Sequence, residues 1–180
     1  DSGTVSVIDT TTNAVIKEIK VAPNPHWIDM SGDGTHAYIA NHESNLISVL
    51  DLASGRVSAE VRVQTSPHSV AVNPRLPLVA NVNYDSSSVS FIDTTTNRVI
   101  ATVPVGRNPQ AITWAPDGRF AYTANVGDGT VSVIDAETHL VTATVPTGTS
   151  PTSVAVVPDG RTGYVTNLDS QTLSVLHLNG

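Results

Sequence analysis

The chain has 180 residues, of which 39% are hydrophobic and 14% are charged, and its formal net charge is −7. Nine lysines and arginines spread along an acidic chain do not form the basic cluster that a nucleic-acid groove needs, so we expect no nucleic-acid partner. No apolar run is long enough to span a bilayer, and the absence of cysteine excludes disulfides, thiolate metal sites and cysteine nucleophiles.

The N-terminal residues Asp1 to Thr4 lack the features of a signal peptide, so we expect any such segment to have been removed. From there on, a 42-residue repeat runs through the chain without insertion or deletion. Four residue types mark it: Pro25, Pro67, Pro109 and Pro151; Asn41, Asn83, Asn125 and Asn167; Asp9, Asp51, Asp93 and Asp135, with His177 in the fifth place; and Ser6, Ser48, Ser90, Ser132 and Ser174. A fixed period of this length is typical of repeat architectures.

In chain order, the repeat predicts a partial unit, three complete units and a second partial unit. Their bounds are 1–21, 22–63, 64–105, 106–147 and 148–180. The first unit contains only the third and fourth strands of the pattern and the last contains the first three, so 17 strands are expected.

The unit 106–147 shows the pattern most clearly, because its apolar runs are separated by turns rich in glycine, aspartate and proline. The predicted strands are 111–114, 120–125, 130–135 and 140–145. Asp117-Gly118 provides the positive φ that a tight hairpin needs. The unit before it has Pro74-Arg75-Leu76-Pro77 at that point, so its hairpin must be built differently.

A four-stranded antiparallel unit repeated in tandem predicts an all-β fold, a β-propeller made of 42-residue blades, with about four blades in this chain. Three arrangements are open: an arc of a larger ring, two chains closing one ring of about eight blades, or one chain closing alone. An open arc exposes apolar faces at both ends, so we expect a chain of this length to self-associate.

Antiparallel connectivity also determines which loops share a face. The start of each first strand and each second-to-third loop lie together, around the mouth of the channel. His26, His68, Gln110 and Thr152 hold equivalent positions at the starts of the innermost strands. Two histidines on adjacent blades can bind a metal or an anion or act as acid–base groups, but we favour the interpretation that each bonds the carbonyl of a neighbouring loop.

The loops on the same face add His42-Glu43-Ser44 and Tyr84-Asp85-Ser86, and Trp27 can form one wall of a pocket. The candidate ligand-binding residues are therefore Asn24, His26, Trp27, His42, His68, Tyr84, Arg107, Gln110 and Thr152. No catalytic or metal-binding residue is assigned and no cofactor is expected. The repeated aspartates before threonine-rich turns are expected to cap those turns, and the repeated asparagines to cap the next loop.

Residues 164 to 167 read Tyr-Val-Thr-Asn, followed by Ser174-Val175, and degenerate copies occur at 38–41 and 122–125. These segments resemble the YVTN family of β-propeller repeats, although Ala80-Asn81-Val82-Asn83 lacks the tyrosine. The resemblance implies a propeller, usually of seven blades. Relatives of this kind include archaeal surface-layer proteins, periplasmic and secreted propellers and, more distantly, lactonase-like and streptogramin-lyase-like enzymes.

The residues and the resemblance together leave three functions open. The first is a non-enzymatic extracytoplasmic propeller, periplasmic, secreted or on the cell surface, that binds a protein, glycan or small ligand at the channel mouth. The second is a lactonase- or lyase-like enzyme that uses His26 or His68 as an acid–base group with a divalent metal. The third is a structural module of a surface layer.

Overall fold

The computed structural model describes residues 2–178, which form 17 β-strands. The strands are β1 (Thr4–Asp9), β2 (Ala14–Lys20), β3 (Pro25–Met30), β4 (His36–Asn41), β5 (Leu46–Asp51), β6 (Arg56–Arg62), β7 (Pro67–Val72), β8 (Leu78–Asn83), β9 (Ser88–Asp93), β10 (Arg98–Pro104), β11 (Pro109–Trp114), β12 (Phe120–Asn125), β13 (Thr130–Asp135), β14 (Val141–Pro146), β15 (Pro151–Val156), β16 (Thr162–Asn167) and β17 (Thr172–His177). Residues 2–178 contain no helix that is long and apolar enough to cross a membrane.

The strands form five antiparallel sheets in chain order: β1–β2, β3–β6, β7–β10, β11–β14 and β15–β17. The first strands of successive sheets, β3, β7, β11 and β15, contact one another in turn, so they stand side by side around one axis. The prediction of an all-β propeller with about four blades is confirmed. Within residues 2–178 the strands of the first and last sheets pair only inside their own sheets, so the closure of one chain into a four-bladed ring is not what the structure shows.

The apolar core lies between neighbouring sheets, in four clusters that each join two of them. In the cluster between the third and fourth sheets, Phe91 of β9 packs with Trp114 of β11 and Ile134 of β13. The alternation of side chains along each strand makes this possible, because one face meets the preceding sheet and the other meets the following one. Each blade is therefore stabilised mainly by its neighbours.

The aspartates that end the third strands cap the following turns, as the sequence predicts. Asp93 Oδ1 accepts hydrogen bonds from the backbone N–H groups of Thr95 and Thr96, each at 2.8 Å. Asp9, Asp51 and Asp135 accept corresponding bonds in their own turns. Hydrogen bonds to the ionised carboxylate lower the pKa of all four groups: the hydroxyls of Thr11 and Thr95 contribute most at Asp9 and Asp93, and backbone N–H groups contribute most at Asp51 and Asp135.

The repeated asparagines bond across the next loop, but not through its backbone amides as predicted. Asn41 Nδ2, for example, donates to the carbonyl of Leu46, the residue that follows the loop, at 3.1 Å. The side chain of Asn83 is buried and donates through Nδ2 to Ser90 Oγ at 3.0 Å, which joins β8 to β9. The same bond links the other asparagines to the other serines of the repeat: Asn41 to Ser48, Asn125 to Ser132, and Asn167 to Ser174. The repeated asparagines and serines are therefore hydrogen-bond partners across adjacent strands, which satisfies the donors of the buried amides.

The hairpin that lacks Asp-Gly is built on an asparagine, as its unusual sequence suggests. Asn73 Oδ1 accepts from the N–H groups of Arg75 and Leu76 at 2.9 Å each. Its Nδ2 donates to the carbonyl of Gly118 in the next blade at 2.8 Å. Gly118 has a φ of +76°, and a Cβ placed there would overlap with Asn73 Oδ1, so this position requires glycine.

Candidate functional site

A cavity of about 440 Å³ lies in front of the first strands of the four successive blades, β3, β7, β11 and β15. His26, His68, Gln110 and Thr152 line it from the second position of each strand. Residues at equivalent positions of the repeat are thus close together in space. The cavity is the place where polar side chains of four blades face a shared space.

A repeated backbone bond attaches each second-to-third loop to the residue that precedes a first strand. The residue before each repeated proline has a positive φ, near 55° in every case: Asn24, Ser66, Asn108 and Ser150. Its carbonyl accepts the N–H of the residue after each repeated asparagine: His42 bonds Asn24 at 2.9 Å and Tyr84 bonds Ser66 at 2.9 Å. The left-handed conformation therefore holds each loop against the start of the neighbouring first strand.

Each of the two histidines on the first strands bonds to the equivalent residue of the next blade. His26 Nδ1 lies 3.0 Å from the carbonyl oxygen of His68, and His68 Nδ1 lies 2.8 Å from the carbonyl oxygen of Gln110. The predicted bonds to carbonyl groups are present, but the acceptors belong to neighbouring strands instead of loops. Because a carbonyl oxygen only accepts, each Nδ1 carries the hydrogen, and the neutral ring keeps its lone pair on Nε2.

The imidazole rings lie close to one another and to an aromatic ring. The ring centres of His26 and His68 are 3.9 Å apart, and that of His42 lies 6.0 Å from the first and 5.9 Å from the second. Tyr84 stacks on His68 with 5.6 Å between ring centres. We call these four residues the histidine cluster. The structure thus brings together four of the nine candidate residues as ring contacts.

The pKa of His68 is lowered to about 4, mainly by burial and also by the adjacent His26 and His42, while the bond to the carbonyl of Gln110 acts in the opposite direction. Burial disfavours the charged imidazolium, and a second positive charge so close would repel it. His68 is therefore neutral at pH 7.

The NMR titration of His68 is expected to show a midpoint near pH 4 instead of the ordinary 6.5. Between these values the unfolded chain binds more protons than the folded one, so the melting temperature should fall as the pH falls through this window. In the His68→Gln variant that fall should be smaller, whereas a His177→Gln control on the exposed last strand should keep it. A midpoint for His68 at pH 6 or above would contradict the burial argument.

Trp27 and Thr152 line the same cavity, while Asn24 contributes its backbone carbonyl. The indole of Trp27 is 51% exposed, unlike Trp114, which is buried between blades and donates through Nε1 to the carbonyl of Ala71 at 3.0 Å. Trp27 therefore offers a free apolar surface beside His26.

Arg107 is not part of the histidine cluster. Its Nε lies 2.6 Å from Asp128 Oδ1, its backbone N–H donates to Asp128 Oδ2 at 2.6 Å, and its Nη2 donates to the carbonyl of Gly127 at 2.7 Å. The guanidinium is thus bound to the loop of its own blade.

Asp29 was not among the candidates, although it is the only carboxylate among the described residues that line the cavity. Its Oδ1 accepts the N–H of Met30 at 2.9 Å and its Oδ2 accepts the N–H of Val72 in the next blade at 2.8 Å. The sequence did contain a signal for this residue, because the equivalent positions of the other units are the uncharged Ala71, Thr113 and Ala155. Both oxygens are engaged, so the carboxylate acts as a link between blades.

Within residues 2–178 no three histidine, aspartate or glutamate side chains are arranged as a preformed metal site. Apart from the carboxylate of Asp29, the polar groups that face the cavity are imidazole, amide and hydroxyl groups. Such a set can donate and accept hydrogen bonds to an uncharged ligand.

The family model described as "Lactonase, 7-bladed beta-propeller" matches residues 77–180, which is more than half of the chain. The chain belongs to this lactonase propeller family. The matched segment of the lactonase propeller includes Tyr84, Arg107, Gln110 and Thr152 but not His26, His42 or His68. No curated protein matches the chain.

Two solved structures resemble this lactonase-family chain closely in fold. Hydrazine synthase from Kuenenia stuttgartiensis is 28% identical, with a TM-score of 0.82, over 86% of this chain and 46% of that chain. A functionally unknown protein from Desulfotomaculum acetoxidans DSM 771 is 19% identical, with a TM-score of 0.83, over 97% of this chain and 62% of that chain. The chain thus spans less than two thirds of either solved chain.

Proposed function

We propose that the chain is a non-enzymatic binding propeller that takes a small, uncharged, hydroxyl-bearing ligand at the channel mouth. The observation that carries the proposal is the cavity of about 440 Å³ lined by polar side chains at equivalent positions of four blades. Its volume falls within the range of ordinary small-molecule sites.

The chemistry of the lining supports a neutral ligand. The Nε2 atoms of His26 and His68 accept hydrogen bonds from hydroxyl groups, because each Nδ1 is already bonded to a carbonyl. Gln110 can donate and accept, and the exposed face of Trp27 can pack against the C–H face of a sugar ring. With Asp29 occupied by two backbone amides, no free charged side chain in the lining favours a charged organic ligand over a neutral one.

The test is a titration of ¹⁵N-labelled protein with monosaccharides (D-glucose, D-galactose and N-acetylglucosamine) in the presence of EDTA. At least one sugar is expected to shift the signals of the Trp27 indole and the Gln110 side chain. Gln110→Ala should weaken binding about tenfold, as expected for the loss of one good hydrogen bond with its buried partner left unpaired. The matched control is Gln64→Ala, in an exposed loop outside the cavity lining. Shifts spread over the surface, or equal effects of the two variants, would contradict the proposal.

Lactone hydrolysis is the second candidate, and the family match favours it. It requires a base near the lactone carbonyl, and His26 and His68 face the cavity with free Nε2 atoms. A pH-stat assay with γ-butyrolactone and D-glucono-1,5-lactone separates the candidates. Acid release above the buffer rate that disappears in His68→Gln would establish the enzyme, and a silent protein that still binds sugars would support the binding propeller.

An extracytoplasmic location and a YVTN-type repeat form part of the same proposal. The motif at 164–167 and the absence of cysteine, which permits an oxidising compartment, support them. Fractionation of the source organism with an antibody to the chain would test the location, and recovery in the cytoplasm would contradict it.

A further inference from the structure

We propose that the Nε2 atoms of His26 and His68 form a binding site for a divalent transition-metal ion of the zinc, nickel and copper class. The site goes beyond the proposed recognition of sugars and does not depend on it, although both use the same cavity. Three features of the histidine cluster support the proposal: the orientation of the rings, their separation and their exposure to the cavity.

The orientation of the rings is the one that metal-binding histidines have. A ligating histidine commonly donates its second ring N–H to a carbonyl or carboxylate, which sets the tautomer and aims the other nitrogen at the ion. Here the carbonyls of His68 and Gln110 accept from Nδ1 of His26 and His68 at 3.0 and 2.8 Å. The hydrogen bonds that orient metal-binding histidines are therefore already present for both rings, and Nε2 remains as the ligand atom of each.

The closeness of the rings allows one shared ion after a small movement. A metal–nitrogen bond of about 2.1 Å means that two imidazoles on the same ion hold their ring centres roughly 4.5 to 6 Å apart. The ring centres of His26 and His68 lie 3.9 Å apart with planes tilted by 43°, so the two rings must open by about 1 Å to share an ion. Both rings line the cavity of about 440 Å³, so an ion and its remaining water ligands have room and a path of entry.

His42 can provide a third nitrogen. Its ring centre lies 6.0 Å from that of His26 and 5.9 Å from that of His68, at the outer limit for a shared ion. Since residues 2–178 contain no preformed group of three ligands, the ring of His42 must turn to join the site. We therefore expect a site of two histidines and water, with micromolar affinity, which His42 strengthens.

The neighbours of His68 in the cluster are His26, His42 and Tyr84, and the carboxylate of Asp29 on β3 is already bonded to two backbone amides. No acidic ligand balances the ion's charge, which suits the borderline, nitrogen-preferring metals over calcium or magnesium.

The test is calorimetric titration of the metal-free protein with NiCl₂ and with ZnCl₂. We expect one ion per chain and a loss of at least tenfold in affinity for His26→Gln and for His68→Gln. His42→Gln should reduce affinity less, and the matched controls His36→Gln and His177→Gln, which lie outside the cavity lining, should bind as the unchanged chain does. Calcium should not bind at the same site.

A second measurement keeps the proposal falsifiable if a variant folds poorly. Long-range ¹H–¹⁵N spectra of the unchanged protein should show Nδ1 protonated in both histidines and, on addition of zinc, a shift of their Nε2 signals. Protonation at Nε2, absence of binding, or binding that survives in the His26→Gln/His68→Gln double variant would each overturn the proposal. The sugar titration is performed in EDTA and therefore without metal. A failure to bind sugars would leave the metal result unaffected, and a failure to bind metal would leave the sugar result unaffected.

Discussion

Replacing Phe91 with alanine is expected to lower the free energy of unfolding by about 3–5 kcal/mol, as for other large aromatic side chains in a core. The side chain is fully buried, and its ring centre lies 6.0 Å from Trp114 and 5.0 Å from His139. It joins the sheet β7–β10 to the sheet β11–β14, so the cavity left by its removal can close only if the two blades move together. Urea denaturation followed by circular dichroism measures the loss.

Ile100→Ala is the matched control, since Ile100 lies on the neighbouring outer strand β10 and is 51% exposed. Its effect should stay within about 0.5 kcal/mol, as for other surface substitutions. A loss below about 1 kcal/mol for Phe91→Ala would mean that the contact between these blades relaxes freely, against the packing argument.

A polypeptide of residues 1–180 is expected to self-associate at micromolar concentration, because the last sheet exposes a face that other sheets bury. Tyr164 is 40% exposed and Leu173 is 56% exposed. Their equivalents one repeat earlier, Tyr122 and Val131, are 4% and 0% exposed against the next blade. Apolar surface of this kind is usually covered by another protein surface.

Sedimentation velocity measures the association, and lysine substitutions on the exposed face test its cause. Leu173→Lys with Val175→Lys should shift the population to monomer, because two buried ammonium groups are costly. The control pair Ile100→Lys with Leu140→Lys, exposed on the outer parts of the third and fourth sheets respectively, should leave the association unchanged. A monodisperse monomer of the unchanged chain at high concentration would refute the prediction.

The blade architecture could be predicted from the sequence because its signals are local and repeat at one spacing. Turn residues divide each unit into four strands, and the strands 120–125 and 130–135 were predicted with the bounds that the structure shows. The start of β11 was missed by two residues: Pro109 pairs with Asn125, and a register shift follows before Ala111. Proline at the first position of a strand loses no ladder bond, so the pattern alone did not reveal it.

The partners of polar side chains were harder to predict because they lie on other strands. Asn83 bonds Ser90 across a strand pair, and Arg107 bonds Asp128 across a loop, and neither pairing follows from the spacing of the repeat. At the site, the equivalent positions of His26 and His68 in the repeat predicted that the two side chains would be close. The direction of each ring was not predictable, because it depends on which carbonyl of the adjacent strand lies within reach.

The bonds from His26 to the carbonyl of His68, and from His68 to that of Gln110, repeat one motif a full blade apart. Positions 26, 68, 110 and 152 are therefore equivalent side-chain positions on one repeated backbone structure. A substitution at one of them is expected to change ligand selectivity at the channel mouth without disturbing the strands. Selectivity can thus change by single substitutions, one blade at a time.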